Sequence, residues 1–214
     1  MNLIDISLEI SEDTTVYPGD PEPGIENFSS IKKDGFRISR ITLGSHTGTH
    51  MDAPSHMLED GRSIHEISLE NLIGPAIVID LSSKNGIITG NDLEAAFSRF
   101  LRTNAQILLI RTGIVWNSLS DSDLEELSSL DVSAGQWIIN NGFRTVGIDS
   151  FSVDSPSSSS VHEIFLSNGI NIVECLDLAE VSEGNYFFVC LPLKLKDCDG
   201  SPARAVLFCE DPFL

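Results

Sequence analysis

Three of the five histidines in this 214-residue chain fall inside eleven residues, His46-Thr47-Gly48-Thr49-His50-Met51-Asp52-Ala53-Pro54-Ser55-His56. The spacing is His-x3-His-x-Asp-x3-His. Imidazole nitrogen and carboxylate oxygen are the ligands of a catalytic zinc-type ion, which keeps three protein ligands and an open position for water. Convergence at one ion needs a particular backbone. A helix would bring His46 and His50 together, but Gly44, Gly48, two threonines and Pro54 oppose a helix. In an extended strand the two would stand roughly 13 Å apart, at about 3.3 Å per residue. Gly48 is therefore expected to bend the chain, at a φ that a residue with a Cβ resists. The alternative is a set of solvated or hydrogen-bonded loop histidines.

A second cluster lies downstream, in Val161-His162-Glu163 and Glu174. By strand parity Glu174 shares a face with Ile170, Ile172 and Leu176. A carboxylate on an apolar face must be protonated, paired or metal-bound, because an isolated buried charge is too costly. A salt bridge is the plainer reading of the same residue.

The elements that must position these groups are legible as patterns. Leu3 to Ile10 alternates as a half-buried strand with a polar face suited to an antiparallel or edge position. Tyr17-Pro18-Gly19-Asp20-Pro21-Glu22-Pro23-Gly24 reads as a stiff loop. Phe36 to Leu43 is strand-like, with a parity change across Arg40 that points to a bulge. From residue 75 strands and helices alternate: strands at 75–81, 106–110, 143–149 and 170–176, helices at 92–102, 132–141 and 158–167. The helix at 92–102 presents Leu93, Ala96, Phe97, Phe100 and Leu101 on one stripe, behind a Thr89/Asp92 capping box. Ser133 is the expected start of the next helix, and Asn141-Gly142 its end. Strands at 186–196 and 204–209 close the chain. The pattern is one α/β domain over residues 1–214 with a β-rich N-terminal part.

The His46–His56 segment resembles the H-x-G-T-H-x-D-x-P-x-H signature of the cyclase-like metal-dependent hydrolases, the family that includes bacterial kynurenine formamidase and isatin hydrolase. Tyr17-Pro-Gly-Asp20, Arg111-Thr-Gly113, Gly147-Ile-Asp-Ser150, the His162/Glu174 pair and Asp199-Gly-Ser-Pro-Ala-Arg204 extend the likeness along nearly the whole chain. The resemblance implies a swivelling β/β/α fold with a mixed sheet, and assembly into homodimers or larger homo-oligomers. It further implies two divalent ions per subunit, zinc or manganese. His46, His50 and Asp52 would hold one, and Asp52, His162 and Glu174 would hold or bridge to the second. His56 would be a proton donor and acceptor rather than a ligand. The implied reaction is hydrolysis of an amide or a cyclic amide or ester by a metal-activated water, with His56 moving the proton. Tyr17 stands where kynurenine formamidases carry an aryl-pocket tryptophan, and tyrosine can also stack on a ring. A non-catalytic metal-binding ligand or assembly module is the rival, and it requires a closed coordination sphere with His56 on an ion. A serine nucleophile is disfavoured because Gly147-Ile-Asp-Ser150-Phe does not match G-x-S-x-G.

Composition limits the partners. With 13 Lys plus Arg against 32 Asp plus Glu the net charge is −19, which disfavours nucleic acid and anionic membrane surfaces. A small-molecule substrate remains. Met1 to Ile6 has no basic or apolar leader pattern, and the four scattered cysteines read as buried thiols; both point to a cytoplasmic protein. His65 is expected near the site but outside the metal shell. Arg204 has two readings, ordering the C-terminal loop or meeting a substrate carboxylate.

Overall fold

A computed structural model describes residues 2–100, 103–116, 119 and 127–211. Twelve strands and four α-helices follow in chain order: β1 Leu3–Asp5, β2 Gly24–Ser29, α1 Ile31–Asp34, β3 Ile38–Thr42, β4 His50–Asp52, β5 Ile73–Asp80, β6 Ile87–Ile88, α2 Gly90–Phe97, β7 Ile107–Arg111, β8 Ser129–Leu130, α3 Val132–Asn140, β9 Thr145–Ile148, α4 Ser160–Ser167, β10 Asn171–Glu174, β11 Gly184–Pro192 and β12 Gly200–Phe208.

Strands β5, β7, β9 and β10 are parallel neighbours. Their runs are apolar on both faces, as strands covered on both sides must be. β11 pairs antiparallel with β5, and β12 antiparallel with β11. β4 lies antiparallel between β10 and β12, which closes the mixed sheet into a seven-stranded barrel. β1 adds to the far end of β12. Alternate residues fill the two sides. Ala76, Val78, Leu109, Val173, Leu176, Phe188 and Leu207 form one buried cluster inside the barrel. Ile77, Ile79, Leu108, Ile110, Val146 and Ile172 form the other, beneath Leu93 of α2, Ile138 of α3 and Phe165 of α4. Gly147 belongs to the interior: a Cβ there would stand 2.6 Å from Leu109 and 2.7 Å from Leu176.

The α/β reading and the mixed sheet hold, and several boundaries move. The N-terminal strand stops at Asp5, with one further bridge from Ser7 to Leu176, although Ile6 is fully buried as the alternation requires. The β3 hairpin stands away from the barrel. Every β3 residue is exposed, and the irregularity lies in its partner β2, between Asn27 and Ser29, not at Arg40. Parity alone could not assign that bulge because neither face of β3 is buried. α2 ends at Phe97; Leu101 and Arg102 lie outside the described residues. Its Thr89/Asp92 capping box is present. α3 is capped by Asp131, whose carboxylate accepts from the Ala134 N–H, and not by Ser133. β12 begins four residues before Arg204, because Gly200, Ser201 and Pro202 pair with Asp52, Met51 and His50. No helix of the described residues is long and apolar enough to cross a membrane. All four cysteines are free; Cys175 and Cys190 are buried, Cys198 is half-buried and Cys209 is exposed.

Candidate metal centre

The site forms where β4 meets β10 on the helix side of the barrel. His50 and Asp52 are two residues apart on β4 and so share a face; in register they lie opposite Glu174 and Ile172. Glu174 shares its face with Ile172, as parity predicted, and His162 comes over it from the first turn of α4. All four residues are at most 4% exposed. Gly48 has φ +63°, the left-handed bend expected of it. The bend sets the His46 and His50 rings 5.0 Å apart, edge to face.

Distances define the centre. Asp52 lies 2.8 Å from His46 Nδ1 through Oδ1, 3.4 Å from His50 Nε2 through the same oxygen, and 3.2 Å from His162 Nε2 through Oδ2. Glu174 lies 3.4 Å from His50 Nε2 and 3.4 Å from His162 Nε2. Its Oε1 also accepts the Val153 N–H at 2.7 Å. Potential ligand atoms of His46, His50 and Asp52, and separately of Asp52, His162 and Glu174, all lie within 4.8 Å of one another. His50 Nε2 is buried without a hydrogen-bond partner, aimed between two carboxylates. A buried polar atom left so is costly, and a cation between the carboxylates would satisfy it. The residues fit a divalent metal, as the nitrogen and oxygen donor set also requires.

Protonation follows from the crowding. Burial draws the His162 imidazole down, but Glu174, Asp154 and Asp52 around it push it up to about 11. Burial opposes the charged form of His50 too, yet Asp52 and Glu174 hold it well above its ordinary value. Burial works against the Asp52 carboxylate, and the imidazoles of His162, His46 and His50 around it hold it well below the usual range. His56 differs: burial lowers it, the Asp52 charge pulls it back up, and His46 and His162 lower it further. Its ring centroid is 4.2 Å from that of His46 and 5.7 Å from that of His162, and it touches neither Asp52 nor Glu174.

A cavity of about 300 Å³ opens onto these groups. Tyr17, Phe151 and Met57 line it beside His46, His50, His56 and His162, with Asp20, Ser152, Ser155 and Ser158 also at the wall. Trp116 packs edge to face on Phe151 at 5.0 Å and donates its indole N–H to the Leu176 carbonyl. Every residue singled out for the site from the sequence is thus gathered here. Residues not foreseen are Asp154, 2.8 Å from His162 Nδ1, Asp199, 3.0 Å from His46 Nε2, and the aromatic wall at Phe151. Asp199 lies in a segment that carried the family resemblance; Asp154 had no local signal among so many acids. His65 accepts the Asp197 N–H, outside the cluster. Arg204 pairs with Asp5 on the surface and ties β1 to β12.

Closed barrel, paired carboxylates and clustered imidazoles agree with the comparisons. Residues 4–155 match the cyclase family, and the chain belongs to that family. Kynurenine formamidase of Bacillus thuringiensis (strain Al Hakam) is 31% identical over 207 residues, covering 95% of this chain and 96% of the relative. The Bacillus mycoides (strain KBAB4) kynurenine formamidase is 32% identical over the same shares. A solved structure described as a potential metal-dependent hydrolase with cyclase activity superposes with a TM-score of 0.81 at 32% identity, covering 99% of both chains. Isatin hydrolase A from Labrenzia aggregata shares the fold, with a TM-score of 0.86 at 23% identity over 98% of this chain and 94% of that one.

Proposed function

We propose that this chain is a metal-dependent hydrolase of an amide or a cyclic amide or ester, of the arylformamidase or isatin-hydrolase kind. The observation that carries the reading is His50 Nε2, buried, unpartnered and directed between Asp52 and Glu174. His46, His50 and Asp52 would hold one divalent ion, and Asp52, His162 and Glu174 a second, zinc or manganese. Such ions lower the pKa of a bound water toward neutrality and polarise a carbonyl. His56 supplies the proton transfer. Its imidazole is held down toward the neutral form by burial, so it accepts the proton of the attacking water and returns it to the departing nitrogen or oxygen. Water is added across the acyl bond, giving a carboxylate and an amine or alcohol.

Tyr17 and Phe151 offer ring faces to an aryl substrate. Among the described residues the cavity wall includes no Lys or Arg, which favours a neutral reacting group over an anionic one. The test is hydrolysis of formylkynurenine, isatin and simple lactones by protein stripped with EDTA and reloaded with zinc or manganese. Turnover lost on stripping and restored by metal supports the reading; EDTA-insensitive turnover, or none on any of these compounds, refutes it.

One observation favours a second reading. Ligand atoms of His46, His56 and Asp199 also lie within 4.8 Å of one another, so a closed, non-catalytic metal site would recruit His56 as a ligand. Metal loss from a His56→Ala variant would establish that reading.

The cytoplasmic assignment accords with four free thiols, and a homodimer or larger homo-oligomer with the apolar residues exposed on the β2–β3 hairpin, among them Phe28, Ile38 and Ile41. Light scattering on the purified chain checks the assembly; a monomer at micromolar concentration would refute it.

A further inference from the structure

We propose that Asp154 and Asp199 are positioning residues that set, from opposite sides of the centre, which ring nitrogen His162 and His46 turn toward the ion. The inference rests on the metal-centre reading above and adds the agents that aim its ligands.

The three histidines of the cluster share one arrangement. Each has one ring nitrogen facing Asp52 and the other held from behind by an oxygen. His162 faces inward through Nε2, and its Nδ1 lies 2.8 Å from Asp154 Oδ2. His50 faces inward through Nε2, and its Nδ1 lies 2.8 Å from the Gly48 carbonyl. His46 is reversed. It faces inward through Nδ1, and its Nε2 lies 3.0 Å from Asp199 Oδ2. Carboxylates on both sides favour the doubly protonated ring in the metal-free centre; an ion would displace the inner proton, and the outer nitrogen, facing only an acceptor, would keep the remaining one. Carboxylates in this position fix the tautomer and raise the basicity of the ligand.

The two carboxylates are themselves held differently. Asp154 Oδ1 accepts the Val161 N–H at 3.0 Å and the Ser158 hydroxyl at 3.0 Å, and its Oδ2 accepts the His162 N–H at 2.8 Å. Those bonds anchor it at the start of α4, with the side chain 3% exposed. Asp199 has the Ser45 hydroxyl at 3.0 Å, and its side chain is 47% exposed. It also stands 3.5 Å from His56 Nδ1, too far for a good hydrogen bond but close enough that removing it would disturb His56. Turnover alone therefore cannot test the role. Metal affinity and the identity of the liganding nitrogen can.

The experiment loads 15N-labelled protein with 113Cd, reads cadmium–nitrogen couplings, and measures zinc affinity by competition with a chromophoric chelator. Wild type is expected to couple through Nδ1 of His46 and Nε2 of His50 and His162. Asp199→Ala should bind zinc about 10- to 100-fold more weakly and lose or scramble the His46 coupling, with its melting temperature little changed. Asp154→Asn, which keeps an acceptor oxygen but not the charge, should weaken binding while retaining the Nε2 coupling of His162. Asp154→Ala should lose that coupling. Should the buried Asp154 variants fail to fold, Asp199→Ala decides alone. Variants that bind zinc within twofold of wild type with an unchanged coupling pattern overturn the inference. A wild type that binds neither zinc nor cadmium refutes the metal-centre reading instead.

Discussion

The two sides of the metal centre are built in opposite ways. On one side His162, Glu174 and Asp154 are 4–5% exposed, carried by the first turn of α4, by β10 and by the turn that caps α4. On the other, the side chains of His46, His56 and Asp199 are 16%, 26% and 47% exposed and come from loops and a 3-10 turn. Asp52 belongs to both, placed by a three-residue strand between β10 and β12. The difference separates two tasks. Groups on regular, packed elements hold a fixed geometry, whereas a reacting substrate needs access. The loop side carries His56, proposed above to move the proton, and opens to the cavity.

The sharpest way to break this comparison is to remove what the two sides share. Asp52→Asn should lower metal occupancy at both positions and abolish turnover, read by elemental analysis and by hydrolysis of the substrate panel; full occupancy with full activity would sink the assignment. His56→Ala strikes the open side alone. Removing a general acid–base group of this type should cost roughly 10²–10⁴-fold in kcat, while metal content stays at the wild-type level.

A smaller effect is expected at Gly200. A Cβ there would stand 2.8 Å from His46 Cε1 and 3.0 Å from the Met51 carbonyl. His46 is held at both ring nitrogens, so it cannot swing away without losing a partner. Gly200→Ala should weaken metal binding about tenfold, a loss of about 1.4 kcal/mol, with the buried side intact. Unchanged affinity would show that the open side tolerates more displacement than its hydrogen bonds imply.

The smallest effect belongs to a control remote from both sides. Hydrogen bonds from the Thr89 side chain and backbone, with help from Lys84, hold Asp92 at about 2. A carboxyl depressed on folding contributes stability that is present above its ordinary value of 3.8 and is lost as pH falls toward 2. Asp92→Asn should therefore flatten the acid-unfolding curve slightly in that window and leave metal affinity at pH 7 unchanged. The side chain is half-buried at the surface, with about a quarter of it in solvent, so partial screening keeps the change small. A large shift would mean that α2 bears on the centre.

How much of this was legible depended on how local each constraint was. The bend at Gly48 followed from the incompatibility of an extended chain with convergent ligands. The burial of Glu174 followed from strand parity. The Thr89/Asp92 box was recognisable because capping is completed within four residues. Asp154 and Asp199 received no role from the sequence, since their partners are 8 and 153 positions away. The exposed β3 hairpin resisted reading for the reverse reason: its alternation is real, but no packed face gives it a direction.

The sequence by itself determined the candidate ligand set, the bend that gathers it, the succession of strands and helices, and, through the acidic excess, the partners to set aside. These depend on residue type and on spacings of a few positions, where backbone geometry is nearly fixed. Tertiary structure alone decided that β4 inserts between β10 and β12, which brings Asp52 opposite Ile172 on one side and Gly200 on the other. It also decided which carboxylates stand behind which imidazoles. Such pairings are set by closure of the barrel, and a closed sheet joins residues whose separation along the chain carries no trace of their contact.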